Sequence, residues 1–438
     1  MRKVLLVLIS LATAQAGWEA GVAERVITPK EPIWMAGFAS RTRPSEGVRQ
    51  DIHVKALALR DEGGKTVVLM TADLENLNRE VAGIIAARCE KQYGLSRDRL
   101  VMNISHTHSS PVTGIKQLEL WYILDAPQKE VIGRYTRLFI DQAVDVVGAS
   151  MKAVSPAVVS FGQGFAGVAV NRRRVTRRSL PGPVDQDVPV MAVRDLAGNL
   201  RAIVFGYACH PTTLSDYRIS GDWAGFAQAE VERAYPGAIA MFVQGCGADA
   251  NALPRAGVDL TERYGEIMAA AVGEVLSDQM QPLAGPLGTV YETVDVPFQK
   301  APTREALEAQ FKAEESPLVR LQLQNLRDIY ARDGRLPEHY PYPVAIWRFG
   351  RGLKFIALGG EVVADYSLRL KGEYGWEDTW VAGYSHDVFA YIPSLRVLKE
   401  GGYEGGEAMV GDGHPAPFGT EIEEIIVGKV KELMGRTR

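Results

Sequence analysis

The chain has 438 residues, 46% of them hydrophobic and 23% charged, with a formal net charge of −4. That length and apolar content can fill a substantial core, and a near-balanced charge without a long basic run excludes the electrostatic footprint of a nucleic-acid binder. Three cysteines, Cys89, Cys209 and Cys246, are too few for an extracellular disulfide framework; Cys209 and Cys246 read as small buried hydrophobes.

The chain opens "MRKVLLVLISLATAQAGW", with a basic start, an apolar run from Val4 to about Ala12, and the small-residue pattern Ala14-Gln15-Ala16. This is the form of a secretory signal cleaved after Ala16, so the mature chain is expected to be exported, either secreted or periplasmic. Its apolar run falls short of the roughly 20 residues of a membrane span, and no later segment is uniformly apolar over that length. Strand-like apolar runs then follow at 66–74, 99–105, 189–195, 202–210, 238–245, 342–350 and 354–360. Helical patterns at 80–94, 135–151, 224–237 and 262–276 alternate with many of them, which predicts an α/β protein with a mixed sheet flanked by helices. Residues 303–335 are densely charged, helical in pattern and broken by Pro317, and read as a helical insertion, either a surface hairpin or a lid. A last amphipathic pattern at 420–434 should dock on the core. With no repeat or linker in view, 17–438 is expected to be a single catalytic-sized domain.

Only seven histidines are present, and two stand one residue apart in "NISHTHSSP", directly after a strand pattern. On an extended strand His106 and His108 would face the same side, at the place where α/β proteins commonly set binding groups. His210 ends a second strand pattern and is followed by Pro211. Two strand-end histidines and a carboxylate are the usual material of a catalytic zinc site with one position open to water. Glu361, after "KFIALGG", is the best carboxylate candidate, though it reads equally as a helix-start residue favoured by the helix dipole. No G-x-S-x-G elbow, phosphate loop, H-E-x-x-H or paired C-x-x-C occurs, which narrows the field towards a metal hydrolase with dispersed ligands.

Several segments together resemble the catalytic domain of the neutral/alkaline non-lysosomal ceramidases: "NISHTHSSP", "VNRRR" (170–174), "FVQGCGADAN" (242–251), "GGEVVADYSLRLK" (359–371) and "GYSHDVFAYIPSLRVLKEGGYEGG" (383–406). "MAGFASR" (35–41) and "ISGDWAG" (219–225) add to it. The resemblance implies a Zn2+ cofactor held by His106, His210, Glu361 and Tyr391. It places His108 in catalysis as acid and base, with Arg172 (or Arg173, if the alignment slips by one) and Tyr403 orienting substrate or stabilising an oxyanion. It implies hydrolysis of an amide bond by zinc-bound hydroxide, in an N-acyl sphingoid or another lipid-like acyl substrate. An ester or other small acyl substrate remains open, as does a non-catalytic lipid- or glycan-binding role. Two departures accompany the resemblance. The family carries a serine in the loop where this chain has Asn251, and the C-terminal β-sandwich domain usual in the family is not expected to follow the closing helix.

Overall fold

The protein is described here by a computed structural model covering residues 17–437 except Gln117 and Glu119. The expected signal, 1–16, lies outside the described residues.

Two sheets carry the fold. The larger is nine-stranded and mixed, built chiefly from β1 (Trp18–Val26), β2 (His53–Asp61), β3 (Thr66–Ala72), β4 (Leu100–Ile104), β5 (Ser155–Phe165), β6 (Asp187–Arg194), β7 (Leu200–Tyr207) and β8 (Ile239–Gln244). These run in the spatial order β8-β7-β6-β5-β1-β2-β3-β4, and the short strand Gln281–Pro282 adds to β5. Only the outermost pairs, β7/β8 and β3/β4, are parallel. The smaller sheet orders β9 (Leu287–Pro297), β10 (His339–Phe349), β11 (Lys354–Leu358) and β12 (Thr379–Ala382) in sequence.

Both faces of the large sheet are buried, which is why several of its strands read as continuous apolar runs. Along β2, Val54, Ala56 and Ala58 join one core with α1 (Arg79–Tyr93) and α2 (Ala126–Lys152), through Ile85, Phe139 and Val146. Leu57 and Leu59 point the other way, into a core shared with Trp347, Phe355 and Trp380 of the second sheet. A single helical turn, α3 (Arg172–Thr176), precedes α4 (Asp222–Ala234) and α5 (Val258–Ser277), which cover β6, β7 and β8. After the hairpin of α6 (Arg304–Ala313) and α7 (Pro317–Asp333) come α8 (Ala364–Tyr374), the short α9 (Leu395–Glu400) and α10 (Ile422–Arg436). Helices α8 and α10 close the far face of the second sheet through Tyr366, Leu370, Ile426 and Val430. The layers therefore run helix, sheet, sheet, helix.

Strands β1, β2, β5, β9 and β12 lie outside the expected runs: β1, β2 and β9 interleave charged or small polar residues with apolar ones, β5 begins Ser-Pro, and β12 has only 4 residues. The true start of α2 also precedes the expected one by nine residues. Asp125 and Gln128 form a reciprocal capping box there, with Pro127 in the first turn. The expected insertion at 303–335 is the α6–α7 hairpin: Ser316 caps α7, Pro317 opens it, and Leu307, Leu323, Leu326 and Leu336 form a small core of their own.

One polar contact sets the position of the functional site. Asn103, in β4, accepts from the Gln244 backbone N–H at 2.8 Å and donates to the carbonyls of Gln244 and Gly383 at 3.3 and 2.7 Å. Its amide thus behaves as a piece of backbone and ties the opposite edges of the large sheet, β4 and β8, to each other and to the end of β12. The chain leaving β4 and the chain leaving β7 are thereby brought to one place.

Candidate metal centre and active site

Three imidazoles meet there. His106, His108 and His210 are buried, with potential ligand atoms all within 4.8 Å of one another. The route differs from the expected one: β4 ends at Ile104, and His106 takes a left-handed backbone conformation, φ 61°. An extended strand therefore does not aim the pair. Such a conformation costs a non-glycine residue on the order of 1–3 kcal/mol and persists where its surroundings enforce it. Here the His106 N–H donates to the Leu74 carbonyl at 2.8 Å, and the His108 N–H to the Pro211 carbonyl at 3.2 Å, which couples the two histidine-bearing loops. His210 likewise lies three residues beyond β7, held by its N–H to the Ala250 carbonyl at 2.9 Å.

Glu361 begins a two-residue strand, Glu361–Val362, that pairs in parallel with Tyr391–Ile392, placing Glu361 beside Tyr391. The turn before it needs Gly360, at φ 72°, because a Cβ there would stand 2.5 Å from Ile392. Glu361 Oε2 lies 3.0 Å from His210 Nε2 and 3.2 Å from His106 Nε2. The Nδ1 atoms of these two histidines contact the carbonyl oxygens of Gly247 at 2.8 Å and Glu75 at 2.6 Å. A carbonyl only accepts, so each Nδ1 carries the proton and each Nε2 is left with a lone pair facing the carboxylate. Three electron-pair donors directed at one another in a dry site repel unless a proton or a cation lies between them. This donor set, with both imidazoles oriented by carbonyls behind them, fits a zinc ion.

The charges follow the same geometry. Burial alone would raise the Glu361 carboxyl, but His106 and His210 hold it well below the usual carboxylate range. Burial would lower His106, and Glu361 lifts it above its ordinary value instead. His108 goes the other way: burial, with His106 and His210 nearby, pushes it well below its ordinary value. Its Nε2 is 3.1 Å from His106 Nε2, its Nδ1 has no hydrogen-bond partner among the described residues, and Phe38 packs edge-on at 5.0 Å. Burial also drives His210 down, to about 4.

Tyr391 and Arg172 adjoin this cluster. Arg172 Nη2 donates to the Tyr391 hydroxyl at 3.0 Å and its Nε donates to Glu404 at 2.7 Å. Arg173 turns away and donates to Glu404, Glu400 and the Gly401 carbonyl, so Arg172 is the arginine of the pair at the site. Tyr403 packs against Tyr391 with ring centroids 5.2 Å apart and is 44% exposed, at the mouth of the site. All seven sequence-selected residues are thus gathered in one region. Asn251 sits on the short strand Ala250–Ala252, bridged through its backbone to His210. The three cysteines are free and buried, and burial raises each thiol.

Other residues at the site were not singled out from the sequence. Tyr384, at φ 47°, packs on His106 with ring centroids 4.6 Å apart and directs its hydroxyl to Glu361 at 3.4 Å. Its segment, "GYSHD", was visible, but nothing in it announced a left-handed backbone. Glu404 anchors Arg172 and follows Tyr403 directly, a proximity that an acidic residue beside an arginine-dependent site could have signalled. Gly37 approaches His108 so closely that a Cβ there would stand 2.3 Å from its ring.

A helix–sheet–sheet–helix protein whose sheet edges converge on three buried histidines and a carboxylate carries a group of side chains that could hold a metal ion. The chain belongs to the neutral/alkaline non-lysosomal ceramidase family, whose N-terminal sequence profile matches residues 18–251. It is 24% identical over 240 residues to a neutral ceramidase of Drosophila pseudoobscura pseudoobscura, covering 51% of this chain and 33% of that protein. Neutral ceramidase A of Dictyostelium discoideum is 24% identical over 210 residues, covering 44% of this chain and 28% of its own. The chain therefore matches about a third of the length of such relatives. The crystal structure of neutral ceramidase from Pseudomonas aeruginosa superposes with a TM-score of 0.74 at 16% identity, over 97% of this chain and 74% of that one. A ceramidase complexed with C2 gives a TM-score of 0.73 at 16% identity, over 95% and 76%. Both likenesses speak to the fold. Among the described residues, no helix is long and apolar enough to cross a membrane.

Proposed function

We propose that this protein is an exported, zinc-dependent hydrolase that cleaves the amide bond of an N-acyl lipid related to ceramide. The observation carrying the metal part of this reading is the convergence of two Nε2 lone pairs on Glu361 Oε2 at 3.0 and 3.2 Å. His106, His210, Glu361 and Tyr391 would hold the ion. When bound, zinc polarises a carbonyl and lowers the pKa of a water in its open position from about 15.7 towards 7.

The chain's own groups do the rest. His108, kept neutral by burial, accepts a proton from the attacking water at one ring nitrogen and returns it to the amine nitrogen as the C–N bond breaks. Arg172 and Tyr403 flank the scissile carbonyl as donors, where losing one costs about 3 kcal/mol of transition-state stabilisation. The Arg172–Tyr391 hydrogen bond fixes the hydroxyl orientation of Tyr391, and Glu404 fixes the guanidinium. Tyr384 keeps Glu361 and His106 from turning.

The reading is tested by incubating the purified mature chain with a panel of N-acyl sphingosines, N-acyl amino acids and simple esters, with and without chelator. Release of fatty acid from N-acyl sphingosine, abolished by chelator and restored by zinc, is expected. Ester-only or chelator-resistant hydrolysis would overturn it.

A further inference from the structure

The run "NRRRVTRR" (171–178) is only partly absorbed by the site: Arg172 and Arg173 are neutralised by Glu404 and Glu400. Arg174, Arg177 and Arg178 are exposed, and among the described residues none of them has a carboxylate partner. The Arg177 side chain donates to the Glu400 carbonyl, at 2.9 Å. Beside them Val175 is 55% exposed and points an apolar side chain into solvent from the same short helix. A chain with net charge −4 thus concentrates three cations without carboxylate partners and one exposed valine on one short segment. That segment also supplies Arg172 to the hydroxyl of Tyr391.

We propose that α3 and the residues following it form a docking surface for a bilayer containing anionic lipid, which presents the mouth of the active site to the membrane. Arginines at the phosphate level with an apolar residue between them are the chemistry of an interfacial anchor. The inference rests on the N-acyl lipid reading for its biological sense alone, since a substrate with hydrocarbon chains resides in a bilayer and must be met there. Vesicle binding itself needs no turnover. Each cationic side chain near an anionic surface contributes about fivefold to partitioning, so the three together contribute on the order of 100-fold.

The test is co-sedimentation of the full chain with vesicles of phosphatidylcholine alone and with phosphatidylglycerol added, alongside the triple variant Arg174→Gln/Arg177→Gln/Arg178→Gln and the single variant Val175→Ser. The proposal expects binding to the anionic vesicles only, lost on the order of 100-fold in the triple variant and strongly weakened by 1 M salt, where screening falls to about 3 Å. It expects Val175→Ser to bind more weakly, and the triple variant to hydrolyse a short-chain, monomeric N-acyl substrate at the rate of the unaltered chain. Absence of binding, equal binding by the triple variant, equal binding to neutral vesicles, or retention on heparin without retention on vesicles would overturn it. Should no N-acyl substrate be cleaved while salt-sensitive vesicle binding persists, the functional reading fails and the docking surface stands.

Discussion

Gly37→Ala separates the role of His108 from that of its neighbours. Gly37 has φ 94°, and a methyl there would stand 2.3 Å from Cγ, 2.5 Å from Nδ1 and 2.6 Å from Cβ of His108. Ordinary carbon contacts are about 3.5–4.0 Å, so the ring must move by more than about 1 Å. It cannot do so freely, since His106 and Phe38 pack against it with centroids at 4.8 and 5.0 Å. A displacement of that size at a group handling a proton costs on the order of 100-fold in kcat/KM, or about 2.7 kcal/mol. His106, His210 and Glu361 are held by other contacts, so metal content should not change. The assay is hydrolysis of N-acyl sphingosine by the variant, with zinc measured on the same sample and the substitution repeated in a His108→Ala background. If the methyl acts only through His108, it costs little once that ring is gone. Full activity in Gly37→Ala, an equal loss in both backgrounds, or loss of zinc would refute the division of labour between His106 and His108.

Other predictions follow from particular contacts. Tyr391→Phe removes both a candidate ligand and the acceptor of the Arg172 bond, and should weaken zinc binding at least 10-fold in a competition titration with a chelator. Glu404→Ala leaves Arg172 and Arg173 without their shared carboxylate and should destabilise the fold by about 3–5 kcal/mol in urea, while also lowering kcat. Asn251→Ser, which supplies the serine that the family resemblance leads one to expect at this position, should change the rate by less than about tenfold; a gain of 100-fold or more would assign the nucleophile to the chain rather than to water. His414 is buried with Nε2 3.0 Å from the Phe389 carbonyl, and burial drives it down to about 4. The unfolded chain protonates it near 6.5, so its contribution is fully present above that pH and is lost as pH falls towards 4. The stability advantage of the unaltered chain over His414→Gln should therefore shrink by about 2.5 kcal/mol between pH 7.5 and 4.5, and an unchanged difference would contradict this.

What could be read from the sequence was the material of the site rather than its geometry. His106, His210 and Glu361 stood out because each follows an apolar run, and such runs mark strands buried on both faces. The manner of their meeting was hidden. It depends on Asn103 reaching Gln244 across the sheet and on His106 adopting a left-handed conformation, and neither leaves a local pattern. Tyr391 and Tyr403 carried no physical signal of their own and were reached through resemblance alone. Helix starts fixed by caps, as at Asp125, were read late because the first turn of α2 is polar. Strands with one solvated face, such as β9, were passed over because charged residues interrupt their apolar pattern.

In the proposed function, His106, His210, Glu361 and Tyr391 hold one zinc ion on which amide hydrolysis depends. Elemental analysis of the purified chain, taken together with N-acyl sphingosine hydrolysis before and after chelation, tests it most directly. About one zinc per chain is expected, lost with activity in His106→Ala and His210→Ala but retained in an inactive His108→Ala. A metal-free chain with full, chelator-resistant activity, or a His106→Ala variant with unaltered zinc, would contradict it.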